Sequence, residues 1–267
     1  MTALQALVLG ITQGAAEFLP ISSSGHLVIV PALFGWDHPP VAFDVLLHLA
    51  TLLAVIVYFR RDLWRMVRGF FSRDPELATE RRFAWLIIIG TIPTGLIGLA
   101  FDDVFESLFG AVLWVGVFLM ITAVILTLAE WLSRKRQHDP AQMRWWQAAL
   151  IGVAQGAAIA PGISRSGSTI AAGLAIGLDR EQAARFSFLL SVPSILLAGA
   201  WAARELLGGG IVMPSLGVSA IGFIAAAVSG YAAIAGLLRY LRTRPLYPFA
   251  VYCALIGLGI VIWQLAG

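Results

Sequence analysis

Six apolar runs, each about 20 residues long, limit what this chain can fold into. They occupy residues 41–59, 83–101, 110–132, 186–204, 217–238 and 246–266. A helix of about 20 apolar residues crosses the hydrocarbon core of a bilayer, so each run predicts a transmembrane helix. The composition agrees, because 59% of the 267 residues are hydrophobic and only 12% are charged. A soluble domain of this size cannot bury so much apolar surface, so the sequence predicts an all-α integral membrane protein.

The basic residues are concentrated in three connections between these runs. Fourteen of the 18 Lys and Arg residues lie at 60–82, 133–145 and 239–245, which is the pattern of cytoplasmic loops. This placement accounts for the sequence pI of about 9.4, and we therefore expect no nucleic-acid partner. Cys253 is the only cysteine, which excludes an intrachain disulfide and a cysteine-rich metal site.

Two further segments, 3–35 and 146–178, are long enough to span a bilayer but are interrupted by Gly, Pro and Ser. Lipid does not tolerate exposed irregular backbone, so we expect each to be a re-entrant helix–break–helix hairpin. Residues 5–25 and 147–167 align without gaps and are identical at eleven of 21 positions. This indicates an internal duplication, with a first repeat at 1–135 and a second at 145–267 in a single membrane domain.

The two repeats are predicted to have opposite orientations. Each contains one hairpin and three spans, and an odd number of crossings places the start of the second copy on the other side of the membrane. The fold class is therefore an inverted-topology repeat with six transmembrane helices and two re-entrant hairpins. Broken helices that meet near the midplane are a common arrangement in transporters.

The first break brings a carboxylate, a serine run and an imidazole together. Gln13 and Glu17 are four residues apart and share a helix face. Unpaired backbone N–H groups at the start of the next helix attract anions. Beyond Pro20, that helix start contains Ser22, Ser23, Ser24, Gly25 and His26.

The second break places Arg165 among small and hydroxylated residues. A guanidinium is a fixed fork of donors that suits phosphate oxygens. Its neighbours are Ser164, Ser166, Gly167 and Thr169. The two breaks together predict a site for a phosphate ester or anhydride, with Glu17 available to hold a divalent metal.

Structural interpretations compete with this one. Stretches of Ser and Gly in membranes also allow helices to pack closely, and Glu17 and Arg165 could form a purely structural ion pair. The two copies keep their hydroxyls and glycines but differ at 17/159, 23/165 and 26/168, which favours distinct functional roles. Asp44 and His48 share a face of the run at 41–59 and could line the cavity, but helix–helix hydrogen bonding is the interpretation that we favour.

Two motifs resemble those of the undecaprenyl pyrophosphate phosphatase family of the bacitracin-resistance type, and the resemblance covers essentially the whole chain. The first motif is Gln13-x-x-x-Glu17 followed by Pro20-Ile-Ser-Ser-Ser-Gly-His26. The second is Pro161-Gly-Ile-Ser-Arg165-Ser-Gly-Ser-Thr169, followed by Arg185-Phe-Ser-Phe-Leu-Leu-Ser-Val-Pro193.

The resemblance implies hydrolysis of the terminal phosphate of a C55 polyprenyl diphosphate. The product would be the monophosphate lipid carrier of cell-wall synthesis, made in the plasma membrane of a prokaryote at a site facing the outer side. The family requires Mg²⁺ or Ca²⁺, for which Glu17 and Gln13 are the expected ligands, although many members have glutamate at the position of Gln13. The expected catalytic residues are Glu17, Ser23, His26 and Arg165. The expected phosphate-binding residues are Ser22, Ser24, Gly25, Ser164, Arg165, Ser166, Gly167 and Thr169.

Some alternatives stay open at this point. Ser23 could attack phosphorus after activation by His26 or Glu17, or His26 could activate a water molecule. A polyprenyl-phosphate transporter or flippase is the alternative function, because inverted repeats are typical of carriers. The sequence does not fix the metal, the lipid chain length or whether a homodimer forms.

Overall fold

A computed structural model describes residues 1–108, 111–133, 143–207 and 213–266 of the chain. Its α-helices are α1 (Ala3–Phe18), α2 (Ser23–Phe34), α3 (Val41–Tyr58), α4 (Arg60–Phe71), α5 (Ala78–Ala100), α6 (Asp102–Leu108), α7 (Val112–Ser133), α8 (Trp145–Ala157), α9 (Arg165–Ala175), α10 (Arg180–Leu207), α11 (Leu216–Leu241) and α12 (Tyr247–Ala266). Arg134, Lys135 and Arg136 of the predicted second basic loop lie outside the described residues.

Six of these helices are long and apolar enough to cross a membrane, namely α3, α5, α7, α10, α11 and α12. They coincide with the six apolar runs, which confirms the prediction of an all-helical protein with six spans. Large apolar side chains on their outer faces are more than half exposed, as at Leu96, Leu128, Val228 and Leu255. Because such a surface needs an apolar solvent, these faces are suited to contact lipid.

The predicted connection at 60–82 is more ordered than the sequence indicated, because it contains the helix α4. Trp64 and Phe71 on this helix are exposed, whereas Met66 and Gly69 are buried. Gly69 allows the close approach, since a Cβ there would lie 2.9 Å from the backbone nitrogen of Arg81. The sequence analysis did not predict this helix, because its arginines gave the segment the composition of a loop and its buried face is small.

Each broken segment forms two helices separated by a short non-helical stretch. The Ser22 hydroxyl caps α2 by accepting a hydrogen bond from the Gly25 amide at 3.3 Å, and the Ser164 hydroxyl caps α9 through the Gly167 amide at 3.0 Å. Serine is a favoured residue at this position because its oxygen satisfies a free N–H group of the first turn. The predicted helix starts are therefore observed in both segments.

Equivalent glycines make equivalent contacts in the two halves. A Cβ on Gly10 of α1 would lie 2.5 Å from the Gly222 carbonyl oxygen of α11. A Cβ on Gly152 of α8 would lie 1.9 Å from the Gly90 carbonyl oxygen of α5. Gly10 and Gly152 are matched positions of the sequence duplication, so the same close helix pair occurs twice.

Contacts also give the relative directions of the helices. In the first group, Gly222 of α11 lies beside Phe43 of α3, and eight residues further on Gly230 lies beside Phe18 of α1 and Ala54 of α3. The helices α1, α3 and α11 therefore run parallel to each other.

A second group is built in the same way from α5, α8 and α10. Gly90 lies beside Leu190, and Gln155 donates hydrogen bonds to the hydroxyls of Thr94 and Ser194. Later residues of one helix contact later residues of the others, so these three helices are also parallel.

The two groups run in opposite directions. Gly199 of α10 lies beside Leu49 of α3, whereas Arg185, earlier in α10, lies over the ring of Phe59, just beyond the end of α3. The helices α3 and α10 are therefore antiparallel. This agrees with the predicted inversion, while the inverted repeat and the re-entrant path of the hairpins in a bilayer remain predictions.

Candidate functional site at the junction of the broken helices

The Glu17 carboxylate lies at the centre of the site. It is close to the end of α1 and only 6% exposed. Its Oε1 accepts a hydrogen bond from the guanidinium of Arg165 at the start of α9, and the two side chains form an ion pair. Its Oε2 accepts from the Ser23 hydroxyl at 2.5 Å and from the Gln13 amide at 3.0 Å. One buried carboxylate therefore joins the two broken segments.

The breaks also brace each other through their backbones. The Gly162 amide donates to the Ser22 hydroxyl at 3.2 Å, and the Ser166 hydroxyl donates to the Leu19 carbonyl at 3.0 Å. Thr122 of α7 donates to the Gly162 carbonyl at 3.1 Å. These bonds hold irregular backbone inside the protein, which is the condition for such backbone at membrane depth.

The predicted phosphate-binding residues fall into two sets by exposure. Ser24 and Arg165 are partly exposed, as is the neighbouring residue Ser23. The backbone N–H groups at these helix starts lack intrahelical partners. Within the described residues, Nη1 of Arg165 is buried and has no hydrogen-bond partner. A donor in that state is costly unless it meets an acceptor, so it is available to a ligand oxygen.

The second set is buried and already engaged. The hydroxyl of Ser164 and the amides of Gly25 and Gly167 are used in the two helix caps. Thr169 donates to the Arg165 carbonyl at 2.8 Å and shares a 2.6 Å hydrogen bond with Ser187. These groups hold the breaks in place. The hydroxyls of Ser22 and Ser166, which link one break to the other, do the same. Contact between any of them and phosphate remains a prediction.

His26 is held by two hydrogen bonds. Its Nδ1 lies 2.7 Å from the Ser22 carbonyl oxygen and its Nε2 lies 2.7 Å from the Tyr252 hydroxyl of α12. A carbonyl can only accept, so Nδ1 carries a proton, and Nε2 of the neutral ring accepts from tyrosine. In the described part of the chain, His26 makes no hydrogen bond to Ser23. The sequence did not point to Tyr252, since an aromatic residue in an apolar run resembles ordinary packing.

His48 also lies at the site, which agrees with the alternative that it lines the cavity. Its Nε2 lies 3.7 Å from Oε2 of Glu17, and its Nδ1 lies 2.8 Å from the Asp44 carbonyl oxygen in its own helix. The sequence carried a signal, because ionisable residues four apart inside an apolar run are expensive and usually functional.

The residues present are suited to a metal ion that the protein and a bound ligand hold together, rather than to a metal ion that protein groups hold alone. Among the described residues, no group of three or more His, Cys, Asp and Glu side chains could hold a metal ion. The Gln13 amide oxygen is buried without a hydrogen-bond partner there, next to the Glu17 carboxylate. Mg²⁺ is commonly held by one or two protein oxygens together with substrate phosphates and water.

Fold and site together define a multi-pass helical membrane protein whose broken helices enclose a carboxylate, a serine hydroxyl and a guanidinium. Comparison with known sequences is more specific. A sequence model of the family described as "Bacitracin resistance protein BacA" matches residues 6–259. The chain belongs to this family.

Similar proteins come from distant organisms and match over almost their whole length. A protein of Methanosphaera stadtmanae is 43% identical, with 97% of each chain covered. One of Halothermothrix orenii is 44% identical with 98% of each covered, and one of Myxococcus xanthus is 42% identical with 98% of this chain and 89% of the relative covered. All three are named undecaprenyl-diphosphatase.

Proposed function

We propose that the protein is an undecaprenyl-diphosphatase, which releases inorganic phosphate from undecaprenyl diphosphate and leaves undecaprenyl phosphate. The family and the names of the similar proteins support this activity. The observation that carries it is the shared Glu17 carboxylate, which binds the Ser23 hydroxyl through one oxygen and the Arg165 guanidinium through the other. A nucleophile, a base and a phosphate-binding cation are thereby gathered at one point.

Arg165 binds the diphosphate in this proposal. One edge of its guanidinium is fixed by Glu17, and Nη1, which is buried without a hydrogen-bond partner among the described residues, would donate to a phosphate oxygen that reaches it. Charge-assisted hydrogen bonds to phosphate are strong, and preorganised donors stabilise the charge that develops during phosphoryl transfer. The backbone amides in the first turns of α2 and α9 that are not used in the helix caps would add further donors.

Ser23 is the nucleophile that the geometry favours. Ser23 is a partly exposed residue whose hydroxyl already donates to Glu17, so the carboxylate is placed to take its proton. The oxygen attacks the terminal phosphorus, the bond to the bridging oxygen breaks, and the lipid leaves as its monophosphate. Water then cleaves the phosphoserine. Both ring nitrogens of His26 are engaged elsewhere, so His26 positions the helix start.

Glu17 and the amide oxygen of Gln13 are the protein groups that would hold a divalent cation together with the substrate phosphates. When bound, Mg²⁺ or Ca²⁺ would neutralise phosphate charge.

The predicted topology places this site toward the outer side of the membrane. The opposite directions of α3 and α10 support an inverted repeat, since the two helices occupy equivalent places in the two halves. The lipid tail would then remain in the bilayer while the diphosphate enters the polar junction.

Phosphate release by the purified protein in detergent tests the proposal. We expect turnover of a polyprenyl diphosphate, loss of turnover with a chelator, and none with Ser23→Ala. Acid-quenched protein incubated with terminally labelled substrate should carry label on serine. Detergent has no sealed compartment, so a transporter gives no phosphate under these conditions. Near-normal turnover by Ser23→Ala would exclude the serine route.

A further inference from the structure

The helix α4, which follows α3 and leads to α5, presents three different faces, and none of them takes part in the proposed reaction. Asp62, Met66 and Gly69 form the face toward the rest of the protein. Met66 and Gly69 are buried, and Asp62 forms an ion pair with Arg185 of α10 at 2.9 Å. Contacts to two neighbouring helices, α5 and α10, therefore hold α4 in place.

Trp64, Val67 and Phe71 form the second face, which is apolar and exposed. The spacings of three and four residues place these side chains in one row along the helix. Their exposed fractions are 64%, 51% and 82%. A row of large apolar side chains in water is costly, so this face needs an apolar partner that the described part of the chain does not supply.

Arg61, Arg65 and Arg68 form the third face, which is basic and exposed. With about 3.6 residues per turn, this row lies directly beside the apolar row. Arg65 is paired with Glu80 of α5. Among the residues that the structure describes, Arg61 and Arg68 form no ion pair. Two guanidinium groups beside the apolar row are therefore available to an anion outside the chain.

The position of α4 sets the depth of the apolar row. The helix lies between α3 and α5, which are both long and apolar enough to cross a membrane, so it lies where two spans reach the membrane surface. The ring of Phe70 lies 5.0 Å from that of Trp85 in α5, and Trp85 is exposed like Trp64. Tryptophan is enriched in the layer between acyl chains and headgroups, which is the layer that this position indicates.

We propose that α4 lies in the membrane interface and binds anionic phospholipid. The apolar row contacts the acyl chains, and Arg61 and Arg68 bind the headgroup phosphates. An amphipathic helix of this kind binds a membrane through its buried apolar area and through attraction to anionic lipid. A guanidinium can donate two parallel hydrogen bonds to phosphate oxygens, which suits this contact.

Other occupants of this surface fit less well. A second copy that paired α4 with α4 would bring the basic rows of the two copies together, and contacts between like charges oppose association. A zwitterionic lipid would cover the apolar row, but its headgroup would bring no net counter-charge to the arginines. Anionic phospholipid satisfies both rows at once.

Quenching of tryptophan fluorescence by brominated lipid tests the proposal with the full chain. The protein is reconstituted in vesicles that contain phosphatidylcholine and phosphatidylglycerol in one fixed ratio. The acyl chains of either one lipid or the other carry the bromine, so the charge of the membrane never changes. The chain has nine tryptophans, and the part of the quenching that disappears in Trp64→Phe is the signal from α4.

We expect phosphatidylglycerol to quench this signal more strongly than phosphatidylcholine at the same mole fraction. Each arginine near the surface should favour the anionic lipid about fivefold, so the ratio of the two quenching constants should be about 5 or more. High salt should lower the ratio toward unity, because it screens exposed charges.

Arg61→Gln/Arg68→Gln should bring the ratio close to unity while both lipids still quench the Trp64 signal, because the apolar row is unchanged. Arg61→Lys/Arg68→Lys keeps the charge and should keep most of the preference. Arg239→Gln/Arg244→Gln is the matched control, because it removes two exposed arginines beside the end of α11 and leaves α4 intact. This control should keep the wild-type ratio, and thermal unfolding in detergent checks that every variant is folded.

Equal quenching constants in the wild type, or a preference that survives Arg61→Gln/Arg68→Gln, overturns the inference. If neither lipid quenches the Trp64 signal, a protein surface covers the apolar row, which overturns it as well. If the double variant does not fold, the wild type decides the question, because a ratio that high salt leaves unchanged overturns the inference. The assay needs no turnover, so its outcome is independent of the proposed function.

Discussion

Replacing Glu17 with glutamine separates the chemical role of this carboxylate from its structural role. The carboxylate accepts from Arg165 at one oxygen and from Ser23 and Gln13 at the other. An amide has one acceptor oxygen, so its NH₂ group must face at least one of these donors. The substitution therefore removes the base and leaves a partly buried guanidinium without its counter-charge.

Both effects have a definite size. Loss of a general base lowers the rate about 10²- to 10⁴-fold, which corresponds to about 3–5 kcal/mol of activation free energy. Breaking a buried ion pair by neutralising one partner costs about 3–5 kcal/mol of stability. We therefore expect Glu17→Gln to reduce both kcat and the melting temperature in detergent.

Glu130→Gln is the matched control. Glu130 is 1% exposed and pairs with Arg180, and it also accepts a hydrogen bond from the Leu246 amide. Its loss should lower stability to a similar degree, while the kcat of the folded fraction stays close to that of the wild type. Phosphate release and thermal unfolding of both variants in the same detergent measure this. If Glu17→Gln keeps kcat within about threefold, or if the two variants lose kcat equally, Glu17 is not the base.

Two other substitutions probe packing and positioning. Gly152→Ala should lower stability by about 1–3 kcal/mol, because the new Cβ would lie 1.9 Å from the Gly90 carbonyl oxygen; thermal unfolding measures this, and Gly259→Ala, with nothing within 4 Å, should be neutral. Tyr252→Phe leaves Nε2 of the buried His26 without its partner, so we expect a cost of about 1–3 kcal/mol in stability and a lower kcat, and unchanged unfolding and turnover would contradict this role.

Local patterns predicted the six spanning helices and both helix starts at the breaks. Apolar runs indicate spans because lipid requires apolar side chains along the whole length of a crossing helix. Ser22 and Ser164 indicate helix starts because a serine hydroxyl can accept a hydrogen bond from a backbone N–H group of the first turn. The internal duplication also predicted that the two breaks, which lie far apart in the chain, would form one site. The direct ion pair between Glu17 and Arg165, 148 residues apart, is the contact that the competing structural interpretation expected.

The remaining parts of the site depend on contacts that no local pattern contains. His48 carried a partial signal, since it is an ionisable residue within an apolar run. Tyr252 and Thr122 carried no such signal. A tyrosine or threonine within a span looks the same in the sequence whether its side chain contacts lipid, a neighbouring helix or the site. The helix α4 was missed because its four arginines outweigh its narrow buried face in any average over the segment.

The hydrogen bonds exchanged between the two breaks bear on the choice between hydrolysis and carriage. Alternating access in a carrier rocks one half of the molecule against the other. Here such rocking would separate Ser22 from Gly162, Ser166 from Leu19 and Glu17 from Arg165 in the same movement. Because these contacts would all have to break together, they oppose a movement of one half against the other, and they favour a fixed arrangement of the two breaks over the alternation that a carrier needs.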